Sequence, residues 1–282
     1  MRVLVTHGIF GYTEDQNFTL TETSKLLLSS HPQSLRTAVA KELDLRRWNA
    51  LGNLEISVRS GKPAFQEVYG ETFYDYIERN PDAKKRFDAG MSDYSQYEDQ
   101  EIVKAFDFSI YKTIVDVGGN QGSLSAEILK ASPNSQIILF DLPGTVKNPK
   151  YLTASSMFKG HYQAIGGSFF DHIPSGGDLY ILKRVLHNWN DEDALKILKN
   201  CTKNLTPSGR ILIIDLVEEP LSATTPASPF IDFDISSGLV LGAGIERTKK
   251  EFEALLQKAG LQLHAIYNPQ TRIKIVEAKL AS

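Results

Sequence analysis

Thr113-Ile114-Val115-Asp116-Val117-Gly118-Gly119-Asn120-Gln121-Gly122 is the stretch that decides the fold. Its first half is β-branched at four of five positions, the composition of a strand buried on both faces. Two adjacent glycines then stop the strand, and Ser123 to Lys130 reads as a helix. A buried strand, a glycine turn and a helix make the opening of a parallel α/β unit.

Downstream the pattern repeats. Gln136 to Phe140 is a second strand ending at Asp141, His161 to Ile165 a third, and Asp178 to Lys183 a fourth. Asn190 then caps a helix whose first turn holds Asp191, Glu192 and Asp193, acids suited to the positive end of the helix dipole. Ala194, Leu198, Cys201 and Leu205 form its apolar stripe, and Pro207 to Gly209 stop it before a fifth strand, Arg210 to Ile214. Thr248 and Glu251 form a capping box for a helix that buries Phe252, Leu255, Leu256 and Ala259 and ends at Gly260. Leu261 to Tyr267 and Arg272 to Ala278 follow with no helix between them, so they pair antiparallel. Residues 106–282 are therefore expected to form one Rossmann-like, doubly wound α/β domain closed by an antiparallel hairpin.

Upstream, residues 1 to about 105 read as a mainly helical region. Val3 to Val5 and Phe18 to Leu20 are candidates for a two-stranded wing, and Thr23 to Leu28 for a short helix. Ser34 is expected to cap an amphipathic segment reaching Leu51, Phe65 to Asn80 to be one helix broken by Pro81, and Ala83 to Met91 another.

Composition bounds the function. The 282 residues are 41% hydrophobic with 14 Phe and 11 Tyr, enough for a full core. A net charge of −3 and no dense Lys/Arg stripe argue against a nucleic-acid partner. No apolar run approaches a membrane span, and the start Met-Arg-Val-Leu-Val-Thr-His is too short for a signal peptide. One cysteine, Cys201, forbids an internal disulfide, and with six scattered histidines no metal-ligand spacing is seen. A cytoplasmic, metal-free protein is expected.

In open parallel sheets ligands bind beyond the carboxyl ends of the strands. That edge gathers Asp116 to Gly122, Asp141, Ser168, Lys183 to Trp189 and Asp215. The loop lacks the first glycine of a dinucleotide fingerprint, because Val117 stands there. An Asp-x-Gly-x-x-x-Gly loop instead suits S-adenosylmethionine, which has no pyrophosphate; an ordinary glycine turn is the plain alternative. Asp141 is placed to accept both hydroxyls of a ribose, or else is a turn aspartate before Pro143. His187 is the one imidazole on this edge, beside the indole of Trp189. Imidazole has the pKa range of a base that takes a hydroxyl proton at neutral pH, and it needs a carboxylate to fix its tautomer. Asp215 and Glu246 are the candidates, each otherwise a turn or surface acid.

Six segments in one order, FDAGMSDYS (Phe87–Ser95), IVDVGGNQG (Ile114–Gly122), FDLP (Phe140–Pro143), GGSFF (Gly166–Phe170), KRVLHNWNDE (Lys183–Glu192) and ERTKKEF (Glu246–Phe252), resemble the plant-type S-adenosylmethionine-dependent small-molecule O-methyltransferases. The resemblance implies that His187 is the general base, held by Asp215 and Glu246. It implies that Ser95, Asp116, Gly118, Gly119 and Gly122 bind the methionine part of the cofactor. Asp141 and Leu142 would take the ribose, and Ser168, Phe169, Lys183 and Trp189 the adenine. Met91, Tyr94 and Asp234, the last in the Phe230–Leu241 segment that resembles a pocket-lining helix, would face the acceptor.

The same resemblance implies a small-molecule hydroxyl acceptor, no metal, and a homodimer built on a winged-helix-like N-terminal region, here apparently shortened. Ser168 stands where members often carry Asp, Asn188 replaces a frequent Asp, Asp215 is one methylene shorter than the usual glutamate, and Tyr94 stands where some plant members carry histidine. Two other readings remain open at this point. One is a cofactor-retaining enzyme of the same fold doing pericyclic, lyase or oxidative chemistry. The other is a truncated binding protein without catalysis.

Overall fold

The computed structural model describes residues 1–31, 34–218, 234–242 and 244–281, without side chains at 88, 92–94, 234 and 235. It contains two compact units, Met1–Tyr97 and Glu98–Ser282, each built around its own contacts.

The first unit is helical, with one two-stranded hairpin. Strands β1 (Phe10–Tyr12) and β2 (Phe18–Leu20) pair antiparallel. The first strand of the hairpin is thus Phe10–Tyr12, not Val3 to Val5, which lies in a short helix, Arg2–Thr6. Thr21 caps the helix Glu22–Lys25 through a reciprocal bond pair with Ser24. The single segment expected from Ser34 to Leu51 is two helices, Arg36–Glu42 and Leu45–Gly52, because the Asp44 carboxylate accepts the Arg46 and Arg47 N–H groups and starts a new helix there. Phe65 to Asn80 is divided as well. Gly70, at φ +71°, closes Ala64–Tyr69 in the left-handed conformation, and Thr72 caps Phe73–Arg79. Pro81 starts a helix instead of merely ending one. It sits at the first position of Pro81–Ala105, where its missing N–H costs nothing, and the Asn80 side chain accepts the Ala83 N–H at 3.1 Å.

The second unit takes the last part of that long helix, from Glu98, and an eight-stranded sheet. Its strands are β3 (Thr113–Val117), β4 (Gln136–Asp141), β5 (Tyr162–Gly166), β6 (Leu179–Lys183), β7 (Arg210–Glu218), the short β8 (Arg247–Thr248), β9 (Leu261–Tyr267) and β10 (Ile273–Leu280). The order is β5-β4-β3-β6-β7-β10-β9, with β8 added beside β7. Strands β3 to β8 run parallel, and β10 is antiparallel to both neighbours. This is a Rossmann-like α/β fold preceded by a helical region, as the strand pattern requires.

Period-two alternation divides each central strand between two cores. Val115, Val117, Tyr180, Leu182, Ile211 and Ile213 face one, covered by helices Asp191–Thr202 and Lys249–Lys258. Ile114, Leu179, Ile181, Leu212 and Ile214 face the other with helix Ser123–Ala131 and Phe108. Cys201 is fully buried in the first core, and burial pushes its thiol pKa up. The strand order reverses at β3, which has β4 on one side and β6 on the other. A crevice therefore opens at the carboxyl ends of β3, β4 and β6.

Candidate active site

The glycine loop lies at that reversal. Gly118, Asn120 and Gly122 have φ of +73°, +51° and +77°, so the chain turns through left-handed conformations that glycine adopts without strain. Gly118 N–H donates to the Phe140 carbonyl at 2.8 Å, tying the loop to the end of β4. A Cβ on Gly119 would lie 2.5 Å from both Asp116 Cγ and Leu139 Cδ1. Asp116 is therefore beneath the loop. It accepts the Ser125 hydroxyl at 2.6 Å, and burial pushes its pKa up to about 6.

Asp141 ends β4 with both oxygens aimed at backbone: Oδ2 accepts the Asn120 N–H at 2.9 Å and Oδ1 the Leu142 N–H at 2.7 Å. Each oxygen keeps a second lone pair for a vicinal diol. Leu142 is exposed beside it. After β5, the Ser168 hydroxyl accepts the Phe170 N–H at 3.2 Å and closes a turn. Phe169, Phe170 and Trp189 then stack edge to face, with Trp189 centred 4.7 Å from Phe170 and 5.9 Å from Phe169. Asn200 holds this turn by donating to the Phe169 and Phe170 carbonyls at 2.9 and 3.2 Å. Lys183, at the end of β6, is paired with Asp99 at 2.5 Å, and Asp99 also accepts the Ser123 hydroxyl.

Three residues beyond Lys183 begins a single 3-10 turn, Leu186–Asn188, that carries His187. Arg184 enters it at φ +52°, its guanidinium held in a fork by Glu98. His187 Nδ1 lies 2.8 Å from Glu246 Oε1, and the ring is 12% exposed. Burial acts to lower the His187 pKa, and the Arg184 charge acts with it. The charge of Asp215 and the bond and charge of Glu246 outweigh them, so the pKa is raised. Asp215, on β7, faces the same imidazole electrostatically without bonding it. Neither of its oxygens has a hydrogen-bond partner, and the His187 backbone N–H, though near enough to favour the charged form, falls short of bonding geometry. Burial pushes the Asp215 pKa up to about 7, and the His187 charge offsets part of that rise. Glu246 Oε2 is also buried and unpartnered.

The second unit thus brings together Asp116, Gly118, Gly119, Gly122, Asp141, Ser168, Phe169, Lys183, Trp189, His187, Asp215 and Glu246 along one edge. Ser95 and Met91 belong to the first unit, where Met91 Sδ receives a hydrogen bond from Lys41 Nζ at 3.7 Å. The side chains of Tyr94 and Asp234, and residues 230–233, lie outside the described residues. Among the described residues no group of His, Cys, Asp or Glu could hold a metal, and no helix is long and apolar enough to cross a membrane.

Sequence reading missed Asn200, Glu98, Gly244 and Arg247, and gave Arg184 no role of its own although it lay inside the Lys183–Trp189 edge. Asn200 lies in the helix whose cap, first-turn acids and apolar stripe were read, and belongs to none of the three. Gly244 had a signal, a second glycine two residues after Gly242, and Arg247 stood inside the quoted ERTKKEF segment.

Asp141, the glycine loop and the aromatic turn together suit a cofactor that carries an adenosine. Comparison with known proteins agrees. The O-methyltransferase domain family matches residues 48–262. Phenazine O-methyltransferase PhzM of Lysobacter antibioticus is 30% identical, over 99% of this chain and 80% of its own. The crystal structure of CalO1, a methyltransferase in calicheamicin biosynthesis, in its SAH-bound form, superposes with a TM-score of 0.90 at 27% identity. It is matched over 99% of this chain and 82% of that one. The O-methyltransferase NcsB1, from neocarzinostatin biosynthesis, in complex with S-adenosylmethionine and 2-hydroxy-5-methyl naphthoic acid, gives 0.77 at 29% identity, over 99% and 83%. The chain belongs to the S-adenosylmethionine-dependent O-methyltransferase family, and S-adenosylmethionine is its cofactor.

Proposed function

We propose that the protein methylates a phenol or enol hydroxyl of a small metabolite, with His187 as general base. The observation that carries this reading is the 2.8 Å contact between His187 Nδ1 and Glu246 Oε1. A carboxylate on Nδ1 fixes the tautomer with hydrogen on Nδ1 and leaves the Nε2 lone pair for the acceptor's proton. Glu246 and Asp215 both favour the imidazolium that forms as the acceptor oxygen loses its proton. S-adenosylmethionine supplies the electrophilic methyl carbon. Asp141 is read as holding the ribose hydroxyls, Gly118 to Gly122 the methionine part, and Phe169 and Trp189 the adenine. Asp116 acts from below, shaping the loop through its contact with Gly119. Lys183 is proposed to steady the adenine side from its pair with Asp99.

The naphthoic acid bound by NcsB1 supports an aromatic acceptor carrying a hydroxyl. Ser95, Met91, Tyr94 and Asp234 keep their cofactor and acceptor roles as proposals on the family resemblance. A homodimer is proposed likewise, supported by the exposed Leu45, Trp48 and Val58 of the first unit, and is tested by light scattering.

The test is methyl transfer from labelled S-adenosylmethionine to a panel of hydroxylated aromatic acids and phenols. His187→Ala is expected to lower kcat by about 10²–10⁴ while S-adenosylhomocysteine still binds. Undiminished transfer by that variant would remove His187 as the base.

A further inference from the structure

Ile245, Glu246 and Arg247 follow one another in the chain, and all three bind the turn that carries His187. Ile245 N–H donates to the His187 carbonyl at 2.6 Å. Glu246 takes the ring at Nδ1. Arg247 closes on both ends of the turn: Nη1 donates to the Leu186 carbonyl at 3.0 Å and Nη2 to the Trp189 carbonyl at 2.8 Å. Its Nε and Nη2 also reach Asp191 Oδ1, at 3.0 and 2.9 Å, in the first turn of the next helix.

Arg247 is only 2% exposed, whereas the side chain of Asp191 is 68% exposed. The ion pair is therefore half-solvated, and its Coulombic gain is too small to explain burying a guanidinium. The two carbonyls supply the remaining acceptors. Their spacing demands a flat fork with several fixed donors, which arginine has and lysine lacks. The arginine itself is anchored in β8, paired with Val217 two residues beyond Asp215 on β7.

We propose that Arg247 is a positioning residue that sets the register of His187 against Glu246, so that one short segment fixes both the imidazole and the carboxylate that orients it. The inference rests on the reading of His187 as the base. Without the fork, the backbone at 186 and 189 is free to shift, and a shift below one ångström is enough to lose a 2.8 Å hydrogen bond. The groups facing the imidazole are Glu246, Asp215 from β7 and Arg184 from the preceding residues; Arg247 itself bonds backbone, so its effect on the ring is indirect.

The experiment is a pH titration of ¹⁵N-histidine-labelled protein saturated with S-adenosylhomocysteine. The His187 signals, among those of six histidines, are assigned by their loss in His187→Gln. In the unsubstituted protein neutral His187 is expected as the Nδ1–H tautomer, with its midpoint above that of free histidine. Arg247→Lys is expected to give a mixture of tautomers and to lower the midpoint, toward the behaviour of Glu246→Gln, while S-adenosylhomocysteine still binds.

Asp191→Asn, on the surface, is expected to move the same signals less far in the same direction. A folded, ligand-binding Arg247→Lys with unchanged tautomer and midpoint overturns the proposal. If that variant does not fold, Arg247→Gln, which keeps one donor nitrogen, takes its place, and an unchanged tautomer and midpoint there overturn the proposal. These signals report ring position whether or not the ring is a base, so failure of the base assignment shows separately, in the methyl-transfer assay of His187→Ala.

Discussion

The Cβ that Gly244 lacks would lie 1.8 Å from the carbonyl oxygen of His187. No side-chain movement relieves that contact, because both partners are backbone. Gly244 also sits at φ +113°, a conformation nearly confined to glycine. The approach lets Ile245 bond His187 and lets Glu246 follow directly at the imidazole.

Gly244→Ala is accordingly expected to lose about 2–5 kcal/mol of stability, from overpacking plus backbone strain. The measurement is denaturant unfolding. A loss below the ordinary alanine-for-glycine range would show that the segment relaxes freely and that the close approach is not required.

Asp215 makes stability depend on pH. Its folded pKa of about 7 lies above the 3.8 of an ordinary aspartate. The folded state therefore holds a proton that the unfolded chain releases. The sign follows directly: this group's contribution declines as pH rises from about 4 to 7 and stays unfavourable above that window. Asp215→Asn keeps a neutral side chain at every pH. Its melting temperature is expected to exceed that of the parent by about 4 °C or more at pH 8, with the gap closing toward pH 5. A constant difference across that range contradicts the assignment.

Glu246→Gln removes the charge that favours imidazolium and leaves an amide able to present the wrong atom to Nδ1. Methyl transfer is expected to fall at least about tenfold, and the acidic limb of kcat/KM to move to lower pH. The direction follows from the raised pKa of His187, to which Glu246 contributes through both its bond and its charge. A limb that stays in place would separate Glu246 from the titrating group.

Asp141→Asn tests the cofactor side. With Asp141 holding the ribose as proposed, a charged acceptor for two hydroxyls becomes a neutral one with a single acceptor oxygen, so S-adenosylhomocysteine is expected to bind roughly 10–100-fold more weakly by calorimetry. The Asn120 N–H bond to Asp141 Oδ2 is at stake in the same variant. Adenine alone, which has no ribose, supplies the control: its weaker binding should change little.

The second unit was legible because its signals are local and periodic. Thr113–Val117 and Leu179–Lys183 are apolar on both faces, Asn190 and Thr248 are caps, and Leu261–Tyr267 meets Ile273–Leu280 with too few residues between for a crossover. The first unit was read less well. Its breaks at Asp44 and Gly70 fall inside amphipathic stretches where the hydrophobic period continues unbroken. There a carboxylate capping two N–H groups, or one glycine turning left-handed, outweighs the pattern.

Sequence alone determined that a parallel sheet with helices on both faces would place the glycine loop, Asp141 and His187 at one edge, since strand polarity fixes which ends carry the loops. Tertiary structure alone decided how two acids divide around one imidazole: Glu246 bonds Nδ1, while Asp215 lies buried without a hydrogen bond. That distinction depends on how segments 59 residues apart in the chain pack to within tenths of an ångström, and hydrogen bonds change over that range while sequence patterns do not.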